Sequence, residues 1–95
     1  MTNRERGEAG IEIDGAAFTL RFTLGALAEI EQALDAADPA ALSNRLKAMS
    51  AADLQAVLAA LLRAGGASDP AGLAARAAPR AAAEAVAACV KANLA

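Results

Sequence analysis

An Asp-Gly pair flanked by alternating apolar residues constrains the fold of this chain more than any other feature. Apolar side chains occupy every second position before and after Asp14-Gly15: Ile11, Ile13, Phe18, Leu20 and Phe22. A two-residue Asp-Gly loop favours a type I′ turn, in which both central residues have positive φ. That turn predicts a hairpin whose apolar pairs share one face: Ile13 with Ala16, Ile11 with Phe18, and Ala9 with Leu20. A two-stranded hairpin is marginal in water, so helices or a partner must cover this face.

The hairpin leads directly into a predicted first helix. Thr23 is a candidate N-cap, and the apolar residues at helical spacing form one stripe: Leu24, Leu27, Ile30 and Leu34. A run of acidic residues with no base between them begins within this helix: Glu29, Glu31, Asp35 and Asp38. Such a run is either a solvated face or a docking patch for a basic partner, and both interpretations stay open.

Capping signals bound the second and third helices. Asp38-Pro39 is a typical helix start, and the helix that it opens carries one apolar face: Leu42, Leu46 and Met49. The spacing from Ser50 to Asp53 matches a capping box. It opens a third helix with the strongest helical pattern in the chain: Leu54, Val57, Leu58, Leu61 and Leu62. Gly65-Gly66 is predicted to end this helix, since glycine adopts the left-handed conformation without steric cost.

Two further helices are predicted. Ser68-Asp69-Pro70 starts a short fourth helix around Leu73, and Pro79 marks the start of a fifth. The fifth helix is predicted to face inward at four positions and to carry Cys89 at the edge of that stripe: Ala83, Val86, Val90 and Leu94. Cys89 is interpreted as core filler, with a reactive thiol as the alternative, because no neighbouring His or Lys is evident to lower its pKa.

These patterns predict an α+β fold that is mostly α. An N-terminal β-hairpin is followed by four to five short helices in a small single domain. Residues 1–6 are interpreted as a flexible arm and residues 7–95 as the domain. The apolar fraction of 57% overstates the core, because 31 residues are alanine. We therefore expect a lightly packed domain in which few large side chains carry the stability.

Composition argues against catalysis and against most ligands. The chain has no His, Trp or Tyr and one Cys. An internal disulfide and an ordinary zinc site are thereby excluded, and acid–base catalysis lacks its commonest residue. The basic residues are scattered and no Tyr or Trp can stack on a base, which disfavours nucleic-acid binding. No segment approaches the ~20 apolar residues that cross a bilayer. We expect a cytoplasmic protein that is not an enzyme and has no catalytic, cofactor-binding or metal-binding residues.

The chain resembles the small tail proteins of the gene transfer agent family, which are counted among phage tail assembly proteins. The resemblance rests mainly on four segments: Gly7-Glu8, Asp14-Gly15, Leu20-Arg21 and the helical run Leu24–Glu31. Weaker similarity follows over residues 50–58 and at Gly65-Gly66. The chain departs from the family at Leu34-Asp35, where an aromatic residue and a glycine are expected, and at its end, which lacks an aromatic residue.

The resemblance implies a tail assembly chaperone that coats the tape-measure protein until tail tube subunits replace it. The alternatives are a structural, tube-associated tail component located in the phage-like particle, and a small helical adaptor. A tail tube subunit needs a large β-sheet to build a ring, so two strands favour the chaperone. The expected partner is a tape-measure or tail tube protein; homo-oligomer formation and a longer frameshifted form stay open.

The free hairpin edge and the acidic end of the first helix are the predicted contact surface, with four candidate residues: Arg21, Phe22, Glu29 and Glu31. The alternative is that Phe22 closes the core and the three charges are merely solvated.

Overall fold

The hairpin has the predicted turn and register. The structure is a computed structural model that describes the backbone of residues 8–94 and the side chains of residues 8–93. Strand β1 (Glu8–Ile13) pairs antiparallel with β2 (Ala16–Arg21), and the three predicted apolar pairs are present. Asp14 and Gly15 have φ values of 53° and 81°, as a type I′ turn requires. The predicted arm over residues 1–6 lies outside the described residues.

Helices make up most of the remaining described chain, which confirms the α+β assignment. They are α1 (Leu24–Leu34), α2 (Pro39–Lys47), α3 (Ala51–Ala64), α4 (Pro70–Arg76) and α5 (Pro79–Leu94). The predicted caps are in place. Thr23 Oγ1 accepts a hydrogen bond from the Ala26 backbone N–H at 3.1 Å, and the side chains of Asp38 and Asp69 cap α2 and α4.

The start of α3 is fixed by a capping box that also binds Arg45. Ser50 Oγ accepts from the Asp53 N–H at 3.1 Å, and Asp53 Oδ2 accepts from the Ser50 N–H at 3.3 Å. Arg45 of α2 donates to both Asp53 carboxylate oxygens, at 3.2 and 3.1 Å, and to the Leu34 carbonyl at 2.8 Å. Arg45 thus joins the end of α1 to the start of α3. The hydrogen bond from Arg45, followed by that from Ser50, lowers the pKa of Asp53 from 3.8.

Asp53→Asn should therefore reduce stability in a pH-dependent way. Because the pKa of Asp53 is lower in the folded chain than in the unfolded one, its stabilising effect is full well above 3.8 and is lost as pH falls through the folded value. We expect the variant to melt below wild type at about pH 7 and the difference to shrink at about pH 3. Thermal melts at both pH values check this, with Glu12→Gln as the control for removing an exposed carboxylate. An equal difference at both pH values would contradict it.

The core lies between the inner face of the hairpin and helices α1, α3 and α5. Helix α3 is central to it and packs against β2, α1, α4 and α5. Four residues of its predicted stripe are completely buried, and Leu54 at its start is half-buried: Val57, Leu58, Leu61 and Leu62. The hairpin contributes Ile11, Ile13 and Leu20, and α1 contributes Ile30 and Leu34.

One residue of α1 that was predicted to lie in the core is exposed. Leu24 is 83% exposed, so its predicted core position is wrong. The buried residues of α1 are Ala26, Ile30 and Leu34. At 3.6 residues per turn, Leu24 lies roughly a third of a turn from their mean direction. It is also the first residue of the helix.

The buried face of α5 is also rotated from the predicted stripe. Ala83 is exposed and Val90 is half-buried, whereas Cys89, predicted at the edge, is completely buried. The residues that face the core are Ala82, Ala85, Val86 and Cys89. Alanine occupies most sides of this helix, so its faces differ little in hydrophobicity. Met49 likewise lies beyond α2, which ends at Lys47. The predicted inward position of Leu94 concerns a side chain outside the described ones.

Helix α3 ends at Gly65-Gly66 as predicted, but the two glycines have different uses. Gly66 has φ of 97°, a left-handed conformation that favours glycine. Gly65 has an ordinary helical conformation with φ of −80°. A Cβ atom at Gly65 would overlap the backbone carbonyl of Thr19 in β2. Gly65 therefore allows the end of α3 to approach the outer edge of β2.

Candidate protein-binding surfaces

The described residues contain no metal-binding cluster, and their one cysteine is buried. Within residues 8–94, no group of three His, Cys, Asp or Glu side chains could hold a metal ion. No helix in that range is long and apolar enough to cross a membrane. Burial of Cys89, with a smaller effect from the Glu8 carboxylate, raises the pKa of its thiol to about 11. A protonated thiol in the core is a poor nucleophile at neutral pH, and Cys89 is a core residue.

Arg21, the first predicted contact residue, ends β2 and pairs with the start of β1. Its Nη2 lies 2.5 Å from Glu8 Oε2, and its Nε donates to the same oxygen at 3.0 Å. The two residues are directly opposite each other in the hairpin, so the ion pair is a cross-strand contact. The Glu8 side chain is only 5% exposed, but that of Arg21 is 48% exposed. Part of the guanidinium therefore remains accessible to a partner.

The other three predicted contact residues lie in different surroundings. Phe22, between β2 and α1, is half-buried against the core. Glu29 of α1 forms an ion pair with Arg63 in the last turn of α3. Glu31 is half-buried and forms no ion pair with any described residue. Within the described chain, the predicted charges Arg21, Glu29 and Glu31 are not linked to one another by hydrogen bonds.

The acidic run is used largely at helix ends and in ion pairs. Asp35 is the left-handed C-cap of α1, with φ of 50°, and Asp38 is the N-cap of α2. Glu29 is paired with Arg63. Glu29 and Asp38 thus use their carboxylates locally, whereas Asp35 contributes its backbone conformation. The carboxylates of Glu31 and Asp35 therefore lie outside any described ion pair or cap.

The free edge of the hairpin belongs to β1 and faces α5. In this register the backbone groups of Gly10 and Glu12 point away from β2. They border a groove of about 620 Å³ whose far wall is α5, including Ala81, Glu84 and Ala88. The other hairpin edge differs, because Gly65 approaches the Thr19 carbonyl of β2.

A second groove, which the sequence reasoning missed, is lined by the end of α2, the start of α3 and α5. Its volume is about 480 Å³ and its wall is mostly apolar. Four side chains predicted to lie in the core are half-buried here, and their remaining surface forms the groove: Leu46, Met49, Leu54 and Val90. Lys47 and Lys91 lie at the same groove. The sequence does contain a signal for this groove, because α5 has more apolar residues than a single buried stripe along the helix requires. We call this the α2–α5 groove.

Comparison with known proteins gives a single kind of match. No curated protein and no solved structure matches the chain. A family model described as "Phage tail tube protein, GTA-gp10" matches residues 6–95. This match extends across the hairpin and all the helices described above, and agrees with the resemblance of the N-terminal third to gene transfer agent proteins. The chain therefore belongs to the phage tail tube protein, GTA-gp10 family.

Proposed function

We propose that the protein is a tail assembly chaperone that binds the tape-measure protein in the cytoplasm of the bacterial host. Membership in a family described as phage tail tube protein supports a role in tail formation. The observation that carries the more specific role is the small apolar surface of the described chain. Among residues 8–93, Leu24 is the only large apolar side chain that is strongly exposed. Permanent structural interfaces are large and apolar, whereas a reversible helix-binding protein needs modest, partly apolar contacts.

The fold offers two features that suit reversible binding. One is the free edge of β1, whose unpaired backbone groups can accept an extended segment. The other is the surface that runs from the end of β2 along α1, where Arg21, Phe22, Glu29 and Glu31 each keep part of their surface accessible. We propose these four residues as partner contacts.

Coexpression with the tape-measure protein from the same gene cluster tests this function. A chaperone should keep that protein soluble and copurify with it, because it covers apolar segments until the tail tube forms. It should also be missing from finished particles, as measured by mass spectrometry of purified particles. A tape-measure protein that stays insoluble, or a stoichiometric amount of this chain in particles, would overturn the proposal.

The alternative function is a structural component of the tail tube. The description of the family as a tail tube protein favours it. In that case the chain should be found in purified particles in multiple copies. The two-stranded sheet of the described residues argues against it, since a tail tube subunit needs a large β-sheet to build a ring.

A further inference from the structure

Helix α5 carries more apolar surface than the core covers. One side packs inside the protein through Ala82, Ala85 and Cys89. A different side, with Ala83, Ala87 and Val90, lines the α2–α5 groove. The opposite wall of the groove is formed by Leu46, Met49 and Leu54, each half-buried. An unbranched Met side chain adapts to different partner surfaces, and the exposed alanines leave room for close approach.

Uncommitted positive charge borders the same groove. Every arginine among residues 8–93 forms an ion pair with a carboxylate: Arg21, Arg45, Arg63, Arg76 and Arg80. The two lysines in that range, Lys47 and Lys91, are exposed and form no ion pair with any described residue. No Asp or Glu lines the groove. Its potential is therefore positive beside an apolar floor, which favours an acidic partner.

We propose that the α2–α5 groove binds an amphipathic α-helix with carboxylates beside its apolar face. This inference rests on the proposed function, under which the helix belongs to the tape-measure protein. Apart from Met49 in the short loop between α2 and α3, the walls are helices, so the groove does not offer a strand edge. It fits the recognition mode in which the apolar face of a helix lies in a groove. Lys47 and Lys91 select the acidic flank.

A second copy of this chain does not offer such a helix. The apolar face of α1 is packed in the core, apart from Leu24 at its start. Glu31 and Asp35 have carboxylates outside any described ion pair, but the large apolar side chains next to them in α1, Ile30 and Leu34, are packed in the core. Within the described residues, no helix presents an accessible stripe of large apolar side chains flanked by carboxylates. The occupant is therefore a partner rather than this chain itself.

Competition during coexpression tests the groove. Wild type and a variant carry different tags and are coexpressed with the tape-measure protein, and the ratio of the two in the purified complex is measured. The test variants are Lys47→Glu with Lys91→Glu, and Ala87→Glu. The matched control is Ala92→Glu, which places the same charge on an exposed residue of α5 that lines neither the α2–α5 groove nor the groove at β1. Thermal melts verify that each variant is folded. If one of the two test variants is destabilised, the competition result of the other decides whether the groove binds the partner.

Each outcome of the competition has a distinct meaning. We expect both groove variants to be depleted by about tenfold or more, because like charges meet or a charge enters an apolar contact. The control variant Ala92→Glu should remain near equal representation. Equal competition by the groove variants, with wild type still active, would overturn the groove and leave the chaperone function intact. Failure of wild type to bind the tape-measure protein would overturn both. An oligomer of this chain alone that the groove variants dissociate would make a second copy the occupant and would also overturn the inference.

Discussion

Leu58→Asp is expected to unfold the domain. Leu58 is completely buried in the middle of α3, the helix that packs against β2, α1, α4 and α5. The variant loses about 1.5–3 kcal/mol of apolar burial. It also places a carboxyl group in the core, which must either remain charged or become protonated, at a further cost of several kcal/mol. A small domain has a total stability of only about 5–15 kcal/mol. Circular dichroism should show loss of helix at room temperature.

The control is Glu12→Lys on the outer side of β1. Glu12 is exposed and forms no ion pair with any described residue, so the change should alter stability by no more than about 0.5 kcal/mol. The comparison separates core burial from a change of charge as such. If both variants melt within about two degrees of wild type, the core assignment is wrong.

Local sequence signals predicted the elements of this fold well. The turn at Asp14-Gly15 needs two residues with positive φ, and that requirement fixed the hairpin register before any tertiary contact was considered. The caps at Thr23 and Ser50 depend on hydrogen bonds within three residues. Such features are readable because the interacting groups are close in the chain.

The faces of alanine-rich helices were less readable. In α3 the large side chains lie on one side, and the predicted stripe is buried almost throughout. In α5 alanines lie on several sides, so burial is decided by which helix or strand packs against it, here β1 and α3. The α2–α5 groove arises from the same ambiguity, because residues that look like core in the sequence are shared between the interior and an open surface.

The charged contacts of the candidate surface were only partly foreseeable. The pair of Glu8 and Arg21 follows from the hairpin register, since pairing Ala9 with Leu20 places these two residues opposite each other. The pair of Glu29 and Arg63 joins residues 34 positions apart and depends on how α1 packs on α3. For this reason the sequence alone could not decide whether the acidic run is a solvated face or a docking patch.

The same substitution at two glycines should change stability in opposite directions. Gly25→Ala, in the first turn of α1, is expected to stabilise the protein by about 0.4–1 kcal/mol, because alanine loses less backbone entropy on folding. Its Cβ would meet only Thr23 Oγ1, at 3.7 Å, an ordinary contact.

Gly65→Ala is expected to destabilise the protein by about 1–3 kcal/mol, the usual cost of overpacking. Its φ of −80° is open to any residue, so backbone conformation gives no reason for glycine here. The reason is the Thr19 carbonyl, which the new Cβ would overlap. That carbonyl belongs to β2, and it cannot move aside without shifting the hairpin from α3. Chemical denaturation of both variants measures the two effects, with Gly25→Ala as the internal reference for a glycine replaced without a clash. Equal denaturation midpoints for Gly65→Ala and wild type would show that the end of α3 and β2 are not in close contact. The packing of the hairpin against the helices described above would then be wrong.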